Sequence, residues 1–238
     1  MKKILVLTLM FAMWATAANP VLASLTLSSV DGDWTATTGG TNVQGLVPPG
    51  PVVSAGVGYG DGDQHQVRWG VPYHQPEQSG LGFTGAAGAT FEIGDIFEVG
   101  QLMHFNREIQ TGSAPSDATL HLELTFSDPT GLTGTFDLVF AINETPGLGT
   151  DDIITFPTSP FPTSTMEIGG VTYGMELLGF GPDADHLITD FVSIENGTPN
   201  STRLWGQVTN PIPAPAAILL AGIGTAMVGW LRRRGLYR

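Results

Sequence analysis

The chain has 238 residues, 42% of them hydrophobic, with 32 Gly, 17 Pro, no Cys and a formal net charge of −13. Lacking Cys, it has no disulfide scaffold, thiolate metal site, Cys nucleophile or lipid-modified N-terminal Cys. All 22 acidic residues lie between Ser24 and Asn210, where only Arg68, Arg107 and Arg203 oppose them, leaving that stretch at −19; nucleic-acid phosphates and anionic headgroups would repel it, so neither is an expected partner.

Lys2 and Lys3 precede an apolar stretch from Ile4 to Ala18, and Val21-Leu22-Ala23 stand before Ser24. This order of basic, apolar and small-residue segments predicts a signal peptide over residues 1–23, cut between Ala23 and Ser24, with Ala18 the fallback site.

Residues 24–209 are long enough for one substantial domain, and their Gly and Pro content combined with period-two apolar residues predicts short strands joined by tight turns. The clearest strand is Thr119 to Phe126, with Leu120, Leu122, Leu124 and Phe126 on one side and Thr119, His121, Glu123 and Thr125 on the other. A turn at Ser127-Asp128-Pro129-Thr130-Gly131 leads to Phe136, Leu138, Phe140 and Ile142, so the two form an antiparallel pair in this reading. Further strands are expected around Trp34, Val67–Trp69, Phe91–Ile93, Phe97–Phe105, Ile153–Phe156, Val171–Leu177, Phe191–Ile194 and Leu204–Val208. Thr38 to Gly62 reads as a long loop. The predicted fold is all-β, an antiparallel two-sheet β-sandwich of jelly-roll-like topology, with a single barrel as the rival.

The tail, residues 210–238, holds a Pro-rich hinge, an uncharged apolar run from Ala216 to Leu231, and Arg232, Arg233, Arg234 and Arg238. As a helix, the 18 residues from Ala214 to Leu231 reach about 27 Å, close to the hydrocarbon core of a bilayer. The arginines would stay on the cytoplasmic side, leaving the body across the membrane.

Pro213-Ala214-Pro215, the apolar run and Arg232-Arg233-Arg234 together resemble the PEP-CTERM sorting signal of Gram-negative bacteria, with Ala214 where that signal has Glu. The resemblance implies recognition, and cutting near the Pro motif, by an exosortase-like membrane enzyme. A plain C-terminal membrane anchor is the alternative reading of the same residues. Within the body, Gly32-Asp33-Trp34, Val67-Arg68-Trp69-Gly70-Val71-Pro72, Gln78-Ser79-Gly80-Leu81-Gly82-Phe83 and Val99 to Asn106 resemble the ordered blocks of the THxN family of PEP-CTERM proteins. Met103-His104-Phe105-Asn106 keeps the His and Asn of the name-giving motif and has Met in place of Thr. The resemblance implies a surface-protein module and brings no reaction with it.

His104 and Asn106 alternate along a strand, so both side chains can share one face and bind a polar ligand, or else bond to the backbone and close a loop over the sheet. Asp31-Gly32-Asp33 and Asp61-Gly62-Asp63 are candidate Ca²⁺ ligands, because Ca²⁺ collects carboxylate and carbonyl oxygens, but neither has the twelve-residue EF-hand spacing. Asx-rich turns explain the same residues, and Asp151-Asp152 and Asp183-Ala184-Asp185 carry the same two readings. Trp34, Trp69, Tyr73 and Trp205 are candidates for a sugar-stacking platform or for the core. The five histidines form no His-Glu-x-x-His motif and no Gly-x-Ser-x-Gly elbow is present. Asn143-Glu144-Thr145 matches a glycosylation pattern that carries no meaning in the bacterial setting the tail implies.

The expectation is therefore an exported, acidic, non-catalytic structural or adhesive protein of the cell envelope or exopolysaccharide matrix. A carbohydrate-binding module and a polysaccharide hydrolase are the alternatives; no cofactor beyond Ca²⁺ is indicated.

Overall fold

A computed structural model describes residues 24–46, 65–73, 77–145, 151–157, 162–168, 171–195, 200–211 and 215–233. The predicted signal peptide, Asp61 and Asp63, and Pro213, Ala214 and Arg234 lie outside them.

Among the described residues every element before Pro215 is a strand: β1 (Ser24–Gly39), β2 (His65–Trp69), β3 (Ser79–Gly85), β4 (Thr90–Glu92), β5 (Ile96–Phe105), β6 (Pro115–Asp128), β7 (Leu132–Asn143), β8 (Asp152–Thr155), β9 (Thr163–Ile168), β10 (Val171–Gly181), β11 (Asp190–Ser193) and β12 (Asn200–Pro211). They form two antiparallel six-stranded sheets, in the orders β11-β8-β7-β6-β1-β4 and β2-β3-β5-β12-β10-β9, an arrangement consistent with the expected β-sandwich. The long strands occupy the middle of each sheet, and the outermost four, β11, β4, β2 and β9, have only 4, 3, 5 and 6 residues.

The hairpin expected around Ser127 to Gly131 is present, with Leu120 opposite Leu138 and Leu122 opposite Phe136. In β7 buried and exposed residues alternate without a break from Leu132 to Asn143, so one face belongs to the core and the other to water. All ten expected strands form, together with two that the alternation does not mark. β3 is Gly-rich because it lies against backbone: a Cβ on Gly80 would strike the Val67 carbonyl, and one on Gly85 the Val30 carbonyl. β9 is a polar edge strand burying only Met166 and Ile168. The predicted loop from Thr38 begins at the end of β1 and is described as far as Leu46, where Gln44 bonds both ways to Arg68 of β2.

The inner faces meet in one apolar cluster. Phe180 on β10 packs against Phe140 of β7, Phe156 after β8 and Phe191 of β11, at ring-centroid distances of 5.7, 5.5 and 6.3 Å. At the other end Phe91 of β4 stacks on Phe97 of β5 at 4.1 Å.

The tail contains helix α1 (Pro215–Arg233), whose last turn carries Arg232 and Arg233. Among the described residues no helix is long and apolar enough to cross a membrane. The apolar run expected to do so begins at Ala216, and side chains before Ile223 lie outside the description.

Gly85→Ala should destabilise the fold by about 1–3 kcal/mol, because β1 and β3 would have to separate to admit one methyl group. Gly131→Ala, whose added methyl meets nothing within 4 Å, should cost only the left-handed backbone, about 1–2 kcal/mol. Urea midpoints of the two variants check the ranking.

Candidate functional site

β5 runs through the middle of its sheet and carries His104 inward at one end of the sandwich, where the imidazole is fully buried. The opposite sheet brings two carboxylates to the same place: Glu144 directly follows β7, and Asp152 opens β8. One atom from each of His104, Glu144 and Asp152 lies within 4.8 Å of the others.

The bonding around these groups is uneven. The Trp69 indole N–H donates to Glu144 Oε1 at 2.7 Å, and the Thr145 amide donates to Asp152 Oδ1 at 2.8 Å. Trp69 also stacks on the His104 ring, with centroids 6.4 Å apart. Yet neither ring nitrogen of His104 has a hydrogen-bond partner, nor has Asp152 Oδ2; the His104 Nε2 to Glu144 Oε1 separation is 3.9 Å. A buried polar group without a partner costs about 1–3 kcal/mol, so such atoms need an explanation. Burial, and after it the negative charges of Glu144 and Glu195, push the Asp152 carboxyl up to about 8, while the Thr145 amide pulls the other way.

Asn106 plays a different part. Its Nδ2 donates to the backbone carbonyl of Ser193 at 2.8 Å, tying the end of β5 to β11 of the other sheet, as the loop-closing reading anticipates. His104 makes no such backbone bond. Beyond Asn106 a cleft of ≈ 150 Å³ opens, lined by Arg107, Glu108, Glu144, Thr145 and Glu195 among others.

The other candidates are spread over the molecule. Trp34, Trp69 and Trp205 are buried, and their indole N–H groups are spent on His65 O, Glu144 Oε1 and Gly181 O, so only Tyr73 of the four aromatic candidates is exposed. A sugar could stack on Trp34 or Trp69 only if the sheets opened. Arg68 stacks on Phe105 at 3.4 Å, not on Trp69, and both its Nε and Nη2 donate to Gln66 Oε1.

Asp31 and Asp33 sit inside β1, opposite Glu123 and His121 of β6, and not in a turn. Asp31 is exposed; Asp33 is buried and bonded to His65 Nδ1 at 2.9 Å. Asp183 does build an Asx-turn, accepting from the Asp185 amide at 3.0 Å and pairing with His186 at 2.7 Å. That pairing lowers the Asp183 carboxyl and raises the His186 imidazole.

No protein-family model matches the chain, and no curated protein is significantly similar to it. His104 was legible as a motif member and Asp152 as one of a pair of adjacent aspartates, whereas Glu144 had no signal of its own: only the return of β7 to β8 brings it beside them.

The raised Asp152 carboxyl gives a pH dependence of definite sign. Between its ordinary value of 3.8 and about 8 the folded state holds a proton that the unfolded chain releases, so metal-free protein should lose stability as pH rises through that window. Asp152→Asn should flatten the slope and raise the urea midpoint at pH 8 above that of the parent, which denaturation at pH 5 and pH 8 checks.

Proposed function

We propose that the chain is an exported, non-catalytic structural or adhesive protein of the bacterial surface or exopolysaccharide matrix, delivered by the segment of residues 1–23 and sorted through its C-terminal tail. The observation that carries this reading is a change of chemistry over very few residues. β12 ends at Pro211, and after three residues α1 begins and runs into Arg232 and Arg233. A strongly acidic body is thus followed at once by a segment of apolar sequence with a cationic end, and such a positive flank favours retention on the cytoplasmic side.

The structural or adhesive class is favoured over a sugar-binding module because three of the four candidate aromatics are spent inside the body. It is favoured over a hydrolase because Glu144 and Asp152, which the fold brings together, face a buried imidazole, and Asp152 is only 1% exposed. The partners in this reading are an exosortase-like enzyme, the membrane before processing, and exopolysaccharide afterwards. The jelly-roll-like topology belongs to the same reading.

Intact-mass measurement of the protein from membrane and extracellular fractions of its native host tests it. The expected species begins near Ser24, ends between Pro213 and Ala216, and is found outside the cell. A species retaining Arg238 in the membrane fraction alone would mean a permanent anchor and overturn processing. Strong retardation of the mature protein in polysaccharide gels would move it to the sugar-binding class.

A further inference from the structure

We propose that His104, Glu144 and Asp152 bind one divalent transition-metal ion, of the zinc class, that pins the two sheets of the body together. This does not depend on how the tail is processed. It rests on convergence of donors: an imidazole from β5 and two carboxylates flanking the β7–β8 connection approach within 4.8 Å, where ligands of a tetrahedral ion with bonds of about 2.0–2.2 Å stand roughly 3.4 Å apart. Side-chain adjustments closing these separations by up to about 1.4 Å would bring the donors into coordination.

The second observation is independent of that spacing. His104 is fully buried with both ring nitrogens unpartnered, and Asp152, 1% exposed, has Oδ2 unpartnered. Native interiors do not leave such atoms idle, and one cation satisfies an imidazole lone pair and a carboxylate oxygen together.

The surroundings have the form of an outer layer around a metal. The Trp69 indole and the Thr145 amide each hold one carboxylate oxygen, fixing the orientation of Glu144 and Asp152. Glu144 also lines the cleft of ≈ 150 Å³, which gives an ion a way in and leaves room for water as a further ligand. One nitrogen and two carboxylates favour zinc-class ions over Ca²⁺ and Mg²⁺, which prefer oxygen alone.

The test uses the full-length chain in detergent, stripped with a chelator, with Zn²⁺, Ca²⁺ and Mg²⁺ as probes in calorimetric titration and thermal melting. Zn²⁺ should bind at one ion per chain and raise the melting temperature progressively with free ion concentration. Asp152→Asn and Glu144→Gln, which keep the side-chain shape, should weaken Zn²⁺ by roughly 100-fold or more. Both should still melt cooperatively without metal, and His186→Ala at the surface pair should leave binding unchanged. Absence of Zn²⁺ binding, an affinity that survives both site variants, or Ca²⁺ or Mg²⁺ binding as tightly as Zn²⁺ would each overturn the proposal.

Discussion

No disulfide ties the two sheets, so the molecule depends on their inner faces fitting together, and the fit centres on aromatic rings. Phe180 meets Phe140, Phe156 and Phe191 across the interior, and Phe91 stacks on Phe97 at the far end. Rings of this size bury a large apolar area each and gain from tilted and edge contacts. Trp34 and Trp69 serve the same end and add hydrogen bonds that run from one sheet to the other.

This packing also makes the site. With the sheets in contact, the inward end of β5 must come to rest against whatever the β7–β8 connection supplies, and the chain supplies carboxylates there. A core filled wholly with hydrophobic groups would hold together by burial alone. Here one end is built from an imidazole and two acids, each carboxylate steadied by an N–H donor, with the loop-closing Asn106 just beyond. The His and Asn of the motif that resembles the THxN blocks are thus neighbours with separate tasks: Asn106 bonds to backbone, and His104 faces charge.

The architecture was largely legible in the sequence because period-two burial is a local property. Leu120 to Phe126 and Phe136 to Ile142 announce their strands without knowledge of partners. β3 was hidden because its alternate residues are glycines, which record a close approach by another strand and not a buried side chain. The site was legible only at His104 and, in part, at Asp152. Glu144 and Asp152 are forty or more residues from His104, and no spacing along the chain expresses a meeting that sheet topology creates. The fate of the tryptophans was equally invisible, since an indole on a strand reads the same whether its face meets a sugar or a phenylalanine.

The short outer strands have a consequence for life at high density. A long, straight sheet margin exposes a ladder of free N–H and C=O groups on which another chain can zip, and crowded sandwiches are vulnerable to fibre growth by this route. In this molecule the last strand of each sheet has six residues or fewer and Gln44 partly covers β2, whereas β8 pairs with β7 only at Ala141 to Asn143 and leaves the rest of that strand's outer margin without a strand partner among the described residues. Where the margin of β7 is left open, the mutual repulsion of strongly anionic bodies is what opposes such pairing between copies.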